Sequence, residues 1–140
     1  MRVARALTPA PGLYPEDDDS ALVVDEIAET LSEMWSKLPD DKDPSAKKHK
    51  RAEFAAQVVP RYLAHVSRLM EQRGAGGPFV LGKSLSLADL SVFSTVNRVR
   101  SKQIDDVDMA IFEKHPRLLK CFEATLAHPA VAAEVAARSP

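Results

Sequence analysis

The chain has 140 residues, with 45% apolar and 28% charged side chains, which suits one globular domain. Its net charge is −1, so no overall field attracts nucleic acid or an anionic membrane. A run of about 18 apolar residues is absent and Cys121 is the single cysteine, so we expect no membrane span, no internal disulfide and a cytoplasmic location.

The beginning of the chain, residues 1–15, combines a short basic and apolar stretch with a proline-rich loop. We interpret it as the end of a preceding domain and a linker, followed by a helical domain over residues 16–140. The first helix is predicted from about Ser20 to Leu38, since apolar residues recur there with a helical period. Its predicted buried stripe is Val24, Ile27, Ala28, Leu31, Met34, Trp35 and Leu38.

A second helical region is predicted from about Ala46 to Gln72. Pro60 lies inside it and has no amide hydrogen to donate, while its ring crowds the preceding turn. We therefore expect a kink or a restart of the helix near Val59. The predicted buried face consists of Phe54, Ala55, Val58, Tyr62, Val66, Leu69 and Met70.

The third long helix is predicted from Ser86 to about Arg100, after an apolar connector, Phe79–Leu81, that is too short for a strand. Its predicted buried stripe is Leu87, Leu90, Phe93, Val96 and Val99.

Three shorter helices are predicted near the end of the chain, at about Met109–Lys114, Arg117–Ala127 and Ala130–Arg138. A His-Pro pair introduces each of the last two, and proline is well placed at a helix start. No strand pattern is present, so the predicted fold class is all-α, a bundle of five to seven helices.

Ser86 and Asp89 have the spacing of an N-capping box, in which each residue's side chain bonds the other's backbone amide. Leu85 and Leu90 stand at the positions of a hydrophobic staple. A carboxylate that binds backbone donors in this way is not available for chemistry. We interpret Ser86 and Asp89 as structural residues and assign no catalytic residue in this chain.

The segment from Phe79 to Phe93 resembles the start of the central helix in the C-terminal domain of glutathione S-transferases, where Ser/Thr-x-Ala-Asp follows a glycine. Other stretches resemble the sigma-like members of the family in the same order. They are Gly12–Pro15 with Val24–Ile27, Val59–Leu63, Lys114–Leu118 and Ala127–Val131, and together they extend from about residue 12 to the end.

The resemblance implies the C-terminal half of a transferase that conjugates glutathione to hydrophobic electrophiles, with glutathione as co-substrate, no other cofactor, and a homodimer. Arg2–Arg5 resembles the last helix of the family's thioredoxin-like N-terminal domain, whose other parts we expect to be absent from these 140 residues. That domain carries the thiol-activating group, so this chain alone is expected to be inactive. The alternative is a non-catalytic protein-interaction or assembly module of the same fold.

Asp25, Glu29 and Glu33 recur every four residues in the first predicted helix. In sigma-like relatives an acidic residue of this helix reaches the amino group of the glutathione held by the other subunit. The resemblance implies that role for Glu33, although a simple solvated face gives the same pattern.

Other candidate sites have simpler explanations. Lys47–Arg51 is interpreted as an exposed charged turn, not a nucleic-acid patch. The four histidines form no i, i+4 pair and predict no metal site, and Cys121 is expected in the core. Tyr14 stands in the wrong part of the pattern for the thiol-activating tyrosine of the family.

Overall fold

The computed structural model describes residues 13–73 and 77–138. They form an all-α bundle, as predicted. Those residues contain no β-strand. A π-helical turn, Phe54–Val58, and a short 3₁₀ helix, Met109–Phe112, lie between α-helices. The α-helices are α1 (Asp18–Ser36), α2 (Pro44–Glu53), α3 (Val59–Arg73), α4 (Leu87–Arg100), α5 (Pro116–Ala127) and α6 (Pro129–Arg138).

Helix α1 begins two residues before the predicted start, because the Asp17 side chain caps it by accepting the Ser20 amide at 2.9 Å. This bond also lowers the pKa of the Asp17 carboxyl. The predicted stripe is confirmed at its centre, where four of its side chains are buried. These are Val24, Ile27, Leu31 and Met34.

The predicted interruption at Val59 is confirmed, and it is a π turn. The Val59 amide donates to the Phe54 carbonyl, five residues back, and α3 starts at Val59. One extra residue in this turn moves Pro60 to the exposed surface while Phe54 and Val59 both remain buried. The turn therefore accommodates the missing amide hydrogen of Pro60 without moving either side chain out of the core.

The predicted stripe of α4 is only partly right. Val96 and Val99 are buried as predicted, whereas Leu87, Leu90 and Phe93 are only half-buried. Helix α4 packs against both α1 and α5, so apolar residues surround much of its circumference and no single stripe dominates. The buried residues are Ala88, Asp89, Val92, Thr95, Val96 and Val99.

The connector before α4 is a tight turn packed on the core, as expected. Phe79 and Gly82 exchange two backbone hydrogen bonds of 3.0 Å, and Val80 between them is fully buried. A Cβ on Gly77 would lie 2.1 Å from the Gly82 carbonyl oxygen, so this close approach requires glycine. The Arg117 guanidinium at the start of α5 donates to the carbonyls of residues 77, 78 and 79.

The last two helices each begin with the proline of a His-Pro pair, as predicted. Helix α5 buries Leu118, Cys121 and Phe122, whereas no residue from Pro129 to Ala137 in α6 is buried. In the described part of the chain, no helix has the length and apolar character needed to cross a membrane.

Candidate functional site

An open groove of about 330 Å³ lies between the outer faces of α1 and α3. It contains Glu33, the residue selected from the sequence, together with Thr30 of α1 and three side chains of α3: Arg61, Tyr62 and His65. The two helices pack directly on each other, so the floor of the groove is fixed by the core beneath it.

The three acids predicted to share one face of α1 separate in the structure. Glu29 and Glu33 are exposed, whereas Asp25 is half-buried and accepts a 2.6 Å hydrogen bond from the Tyr14 hydroxyl. Successive residues of an α-helix are turned by about 100°, so residues four apart differ in direction by about 40°. Over eight residues the difference doubles, which places Asp25 at the edge of the face that carries Glu33. The structure therefore brings Glu33 to the groove but not Asp25.

Glu26, not Asp25, lies on the exposed acidic face of α1, and its side chain contacts α3 at one end of the groove. Its carboxylate lies 2.5 Å from Nε2 of His65 in α3. Both side chains are part-exposed, so this contact is screened and contributes at most about 1 kcal/mol. It joins α1 to α3 at this point.

Two opposite charges of the groove stay unpaired. Within residues 13–73 and 77–138, no ion pair or side-chain hydrogen bond engages the Glu33 carboxylate or the Arg61 guanidinium. A carboxylate and a guanidinium in one groove suit a ligand that carries an ammonium and a carboxylate, or a partner surface with both charges. Sequence reasoning missed Arg61, although its spacing with His65 and Arg68 is that of a basic helix face.

Asp89 is fully buried and serves four donors. One carboxylate oxygen accepts the amide and the hydroxyl of Ser86, at 2.8 and 3.0 Å, and both bonds of a capping box are present. The other oxygen accepts the Val80 amide at 2.8 Å and lies 3.1 Å from the Cys121 sulfur. The side chain joins the connector, α4 and α5, and has no open position for a substrate.

Neither Cys121 nor Tyr14 is available as a nucleophile or a thiol activator. Burial, and secondly the Asp89 carboxylate beside it, raise the pKa of the Cys121 thiol far above its usual range. The Tyr14 hydroxyl is bound to Asp25, and its side chain is 4% exposed.

The basic segment 47–51 is largely neutralised within the fold. Lys47 pairs with Asp105 at 3.1 Å, and Lys50 pairs with Asp41 at 2.8 Å, which raises the pKa of Lys50 and lowers that of Asp41. Arg51 is buried and donates to the carbonyls of residues 39 and 105. These contacts tie two loops to α2 and leave little charge for a nucleic acid.

The histidines are separated and serve local contacts. His115 Nδ1 lies 3.2 Å from the Ser67 hydroxyl, and burial together with Lys114 lowers the His115 pKa. His128 caps α6 by accepting the Ala130 amide at 3.3 Å. In the described ranges, no three histidine, cysteine or acidic side chains are arranged to hold a metal ion.

The sequence matches a protein family over residues 29–138, and the family is described as glutathione S-transferase, C-terminal domain. That range includes Glu33, the whole groove and the Asp89 contacts. No curated protein matches the sequence.

Solved structures with the same fold include three proteins. Rat hPGDS complexed with a quinoline has a TM-score of 0.75 and 18% identity, covering 99% of this chain and 66% of that one. The Pi-class glutathione S-transferase of Onchocerca volvulus has a TM-score of 0.72 and 19% identity, covering 98% and 63%. A glutathione transferase homolog from Sulfitobacter with bound glutathione has a TM-score of 0.60 and 24% identity, covering 97% and 64%.

At these identities the likeness concerns the fold. This chain spans about two thirds of the length of each of the three proteins.

Proposed function

Because this chain belongs to the glutathione S-transferase C-terminal domain family, we propose that it is the helical part of a transferase that conjugates glutathione to hydrophobic electrophiles. The observation that carries the proposal is the family match, which extends over residues 29–138 and includes the groove. Glutathione acts as co-substrate, and the chain contributes binding residues.

The groove between α1 and α3 supports a binding role for Glu33. Its carboxylate is exposed and unpaired in the described part of the chain, so it can accept the ammonium group of glutathione held by a second subunit. This role requires a homodimer in which the groove of one subunit faces the glutathione of the other, and we include that homodimer in the proposal.

By itself the chain is expected not to turn over substrate. Its cysteine and Tyr14 are both occupied within the fold, so neither can activate the glutathione sulfur. The first test follows directly: immobilised glutathione should not retain the 140-residue chain. Specific retention would contradict this division of roles.

The second test supplies a glutathione-binding domain. Residues 13–140 are joined to the thioredoxin-like domain of a glutathione transferase, and conjugation of glutathione to chlorodinitrobenzene is followed. We expect turnover from the chimera. A chimera that melts cooperatively but shows no turnover would contradict the proposed function and favour an assembly module.

The role of Glu33 is tested in the same chimera by Glu33→Gln. Loss of one charge-assisted contact is expected to raise the KM for glutathione about tenfold with kcat nearly unchanged. Glu123→Gln, on the exposed side of α5, is the matched control and should leave KM unchanged. Equal KM values for the Glu33 variant and the control would show that Glu33 does not bind glutathione, and would leave the proposed transferase function unaffected.

A further inference from the structure

The segment that precedes α1 is fastened to two helices at once. The Leu13 carbonyl accepts the Leu87 amide at 2.9 Å, and the next residue, Tyr14, donates its hydroxyl to Asp25 of α1 at 2.6 Å. The first is a backbone bond to α4 and the second is a side-chain bond to α1. Two adjacent residues thus connect helices that begin far apart in the sequence.

The bond from Leu87 belongs to the cap of α4. Leu87 is the first residue of that helix, and the first amides of a helix have no acceptor within it. The Asp89 carboxylate accepts the Ser86 amide and the Ser86 carbonyl accepts the Asp89 amide, whereas the Leu87 amide donates to the Leu13 carbonyl. The cap of α4 therefore includes a residue that lies before α1, in addition to the capping box.

The bond to Asp25 fixes the position of that residue. Tyr14 is 4% exposed, so its ring and its hydroxyl are both held in the interior. A hydrogen bond to a carboxylate is among the stronger ones in proteins. Because Leu13 and Tyr14 are neighbours, the Tyr14 side chain determines where the Leu13 carbonyl points.

A second hydrogen bond joins the same two helices farther along. Trp35 at the end of α1 donates its indole nitrogen to the Thr95 hydroxyl in the middle part of α4 at 3.2 Å. Helices α1 and α4 are thus connected at two separate places. The Leu13–Tyr14 fastening is the one through which the chain enters the domain.

We propose that Leu13 and Tyr14 form a strap that locks the starts of α1 and α4 together and stabilises the cap of the central helix. Displacing the strap removes the acceptor of the Leu87 amide and loosens the start of α4 while the Trp35–Thr95 hydrogen bond stays closed. This role does not depend on the proposed transferase activity.

Hydrogen exchange of single amides in the full 140-residue chain tests the strap. Tyr14→Phe removes the bond to Asp25 and keeps the ring, so the Leu87 amide should exchange about tenfold faster, although residue 14 does not bond α4. Asp25→Asn weakens the same bond from the α1 side and should have the same effect. The Val96 amide in the middle of α4 should be unchanged in both variants.

Trp35→Phe is the control for general loosening of the helix pair, because it removes the other hydrogen bond between α1 and α4. It should leave exchange at Leu87 unchanged. Unchanged exchange at Leu87 in both Tyr14→Phe and Asp25→Asn would overturn the strap. An equal acceleration at Leu87 in Trp35→Phe would also overturn it, since the effect would then not be specific to the entry segment.

Discussion

The carboxylate of Asp89 collects donors from three parts of the chain: the connector, the cap of α4 and helix α5. If the side chain is shortened, the amides of Val80 and Ser86 and the Ser86 hydroxyl lose their acceptor inside the protein. Each buried donor without an acceptor costs about 1–3 kcal/mol, so these losses are large beside a total stability of about 5–15 kcal/mol.

We therefore predict that Asp89→Ala lowers the free energy of unfolding by about 4 kcal/mol, measured by urea denaturation. Asp108→Ala is the matched control, because Asp108 also caps a helix but is exposed and accepts one amide, from Ala110. Its expected loss is about 1 kcal/mol. Equal losses for the two variants would show that Asp89 is an ordinary cap.

At the residue scale, the contacts between Asp89 and Ser86 could be predicted from the sequence, but those to Val80 and Cys121 could not. The spacing of Ser86 and Asp89 indicates a capping box, since both partners lie within one turn. The Val80 amide and the Cys121 sulfur come from other elements, and only the packing of the connector and α5 brings them to the same carboxylate. Arg61 was missed for the same reason: the groove exists only once α1 and α3 are packed together.

At the scale of elements, the π turn before Pro60 shifts the buried face of α3 by one residue relative to that of α2. Buried Phe54 and Val59 are five residues apart, where a continuous α-helix repeats its buried face after three or four. Deleting the exposed Ala56 would place them four apart and favour a continuous helix. Pro60 would then lie in a regular helix interior, without its amide bond and against a carbonyl, at a cost of about 3 kcal/mol.

The two changes should therefore be coupled. We predict that deletion of Ala56 destabilises the chain and that adding Pro60→Ala restores about 3 kcal/mol of the loss, measured by urea denaturation. Deletion of Ala64, an exposed residue of α3, is the control, because it turns Val66 and Met70 away from the core. Pro60→Ala should not rescue that deletion, and additive effects with Ala56 would contradict the prediction.

Helix boundaries and the position of the π turn could be predicted because prolines and caps act locally. The buried side of α4 could be predicted only in its second half, at Val96 and Val99, since the first half is set by contact with both α1 and α5. A single apolar stripe predicts one partner, and a central helix has several. Leu87, Leu90 and Phe93 follow the period correctly but lie on a side that is only half covered.

At the scale of the whole molecule, the outer faces of α1 and α3 carry opposite charges side by side. Glu29 and Glu33 are exposed on α1, and Arg61 and Arg68 are exposed on α3. A two-fold axis beside the groove would set Glu29 of one copy against Arg68 of the other, twice, and leave Glu33 for glutathione. This arrangement supports the homodimer in the proposed function and predicts how it can be broken.

Charge reversal on either helix should prevent self-association and reversal on both should restore it. We predict that Glu29→Lys, and separately Arg68→Glu, each yield monomers by sedimentation velocity. An equimolar mixture of the two variants should sediment as a dimer, because each helix then faces the opposite charge again. Added salt should weaken the wild-type dimer and the mixed dimer alike. A mixture that stays monomeric while both variants melt cooperatively would move the interface to another face, since the charges would then not determine the pairing.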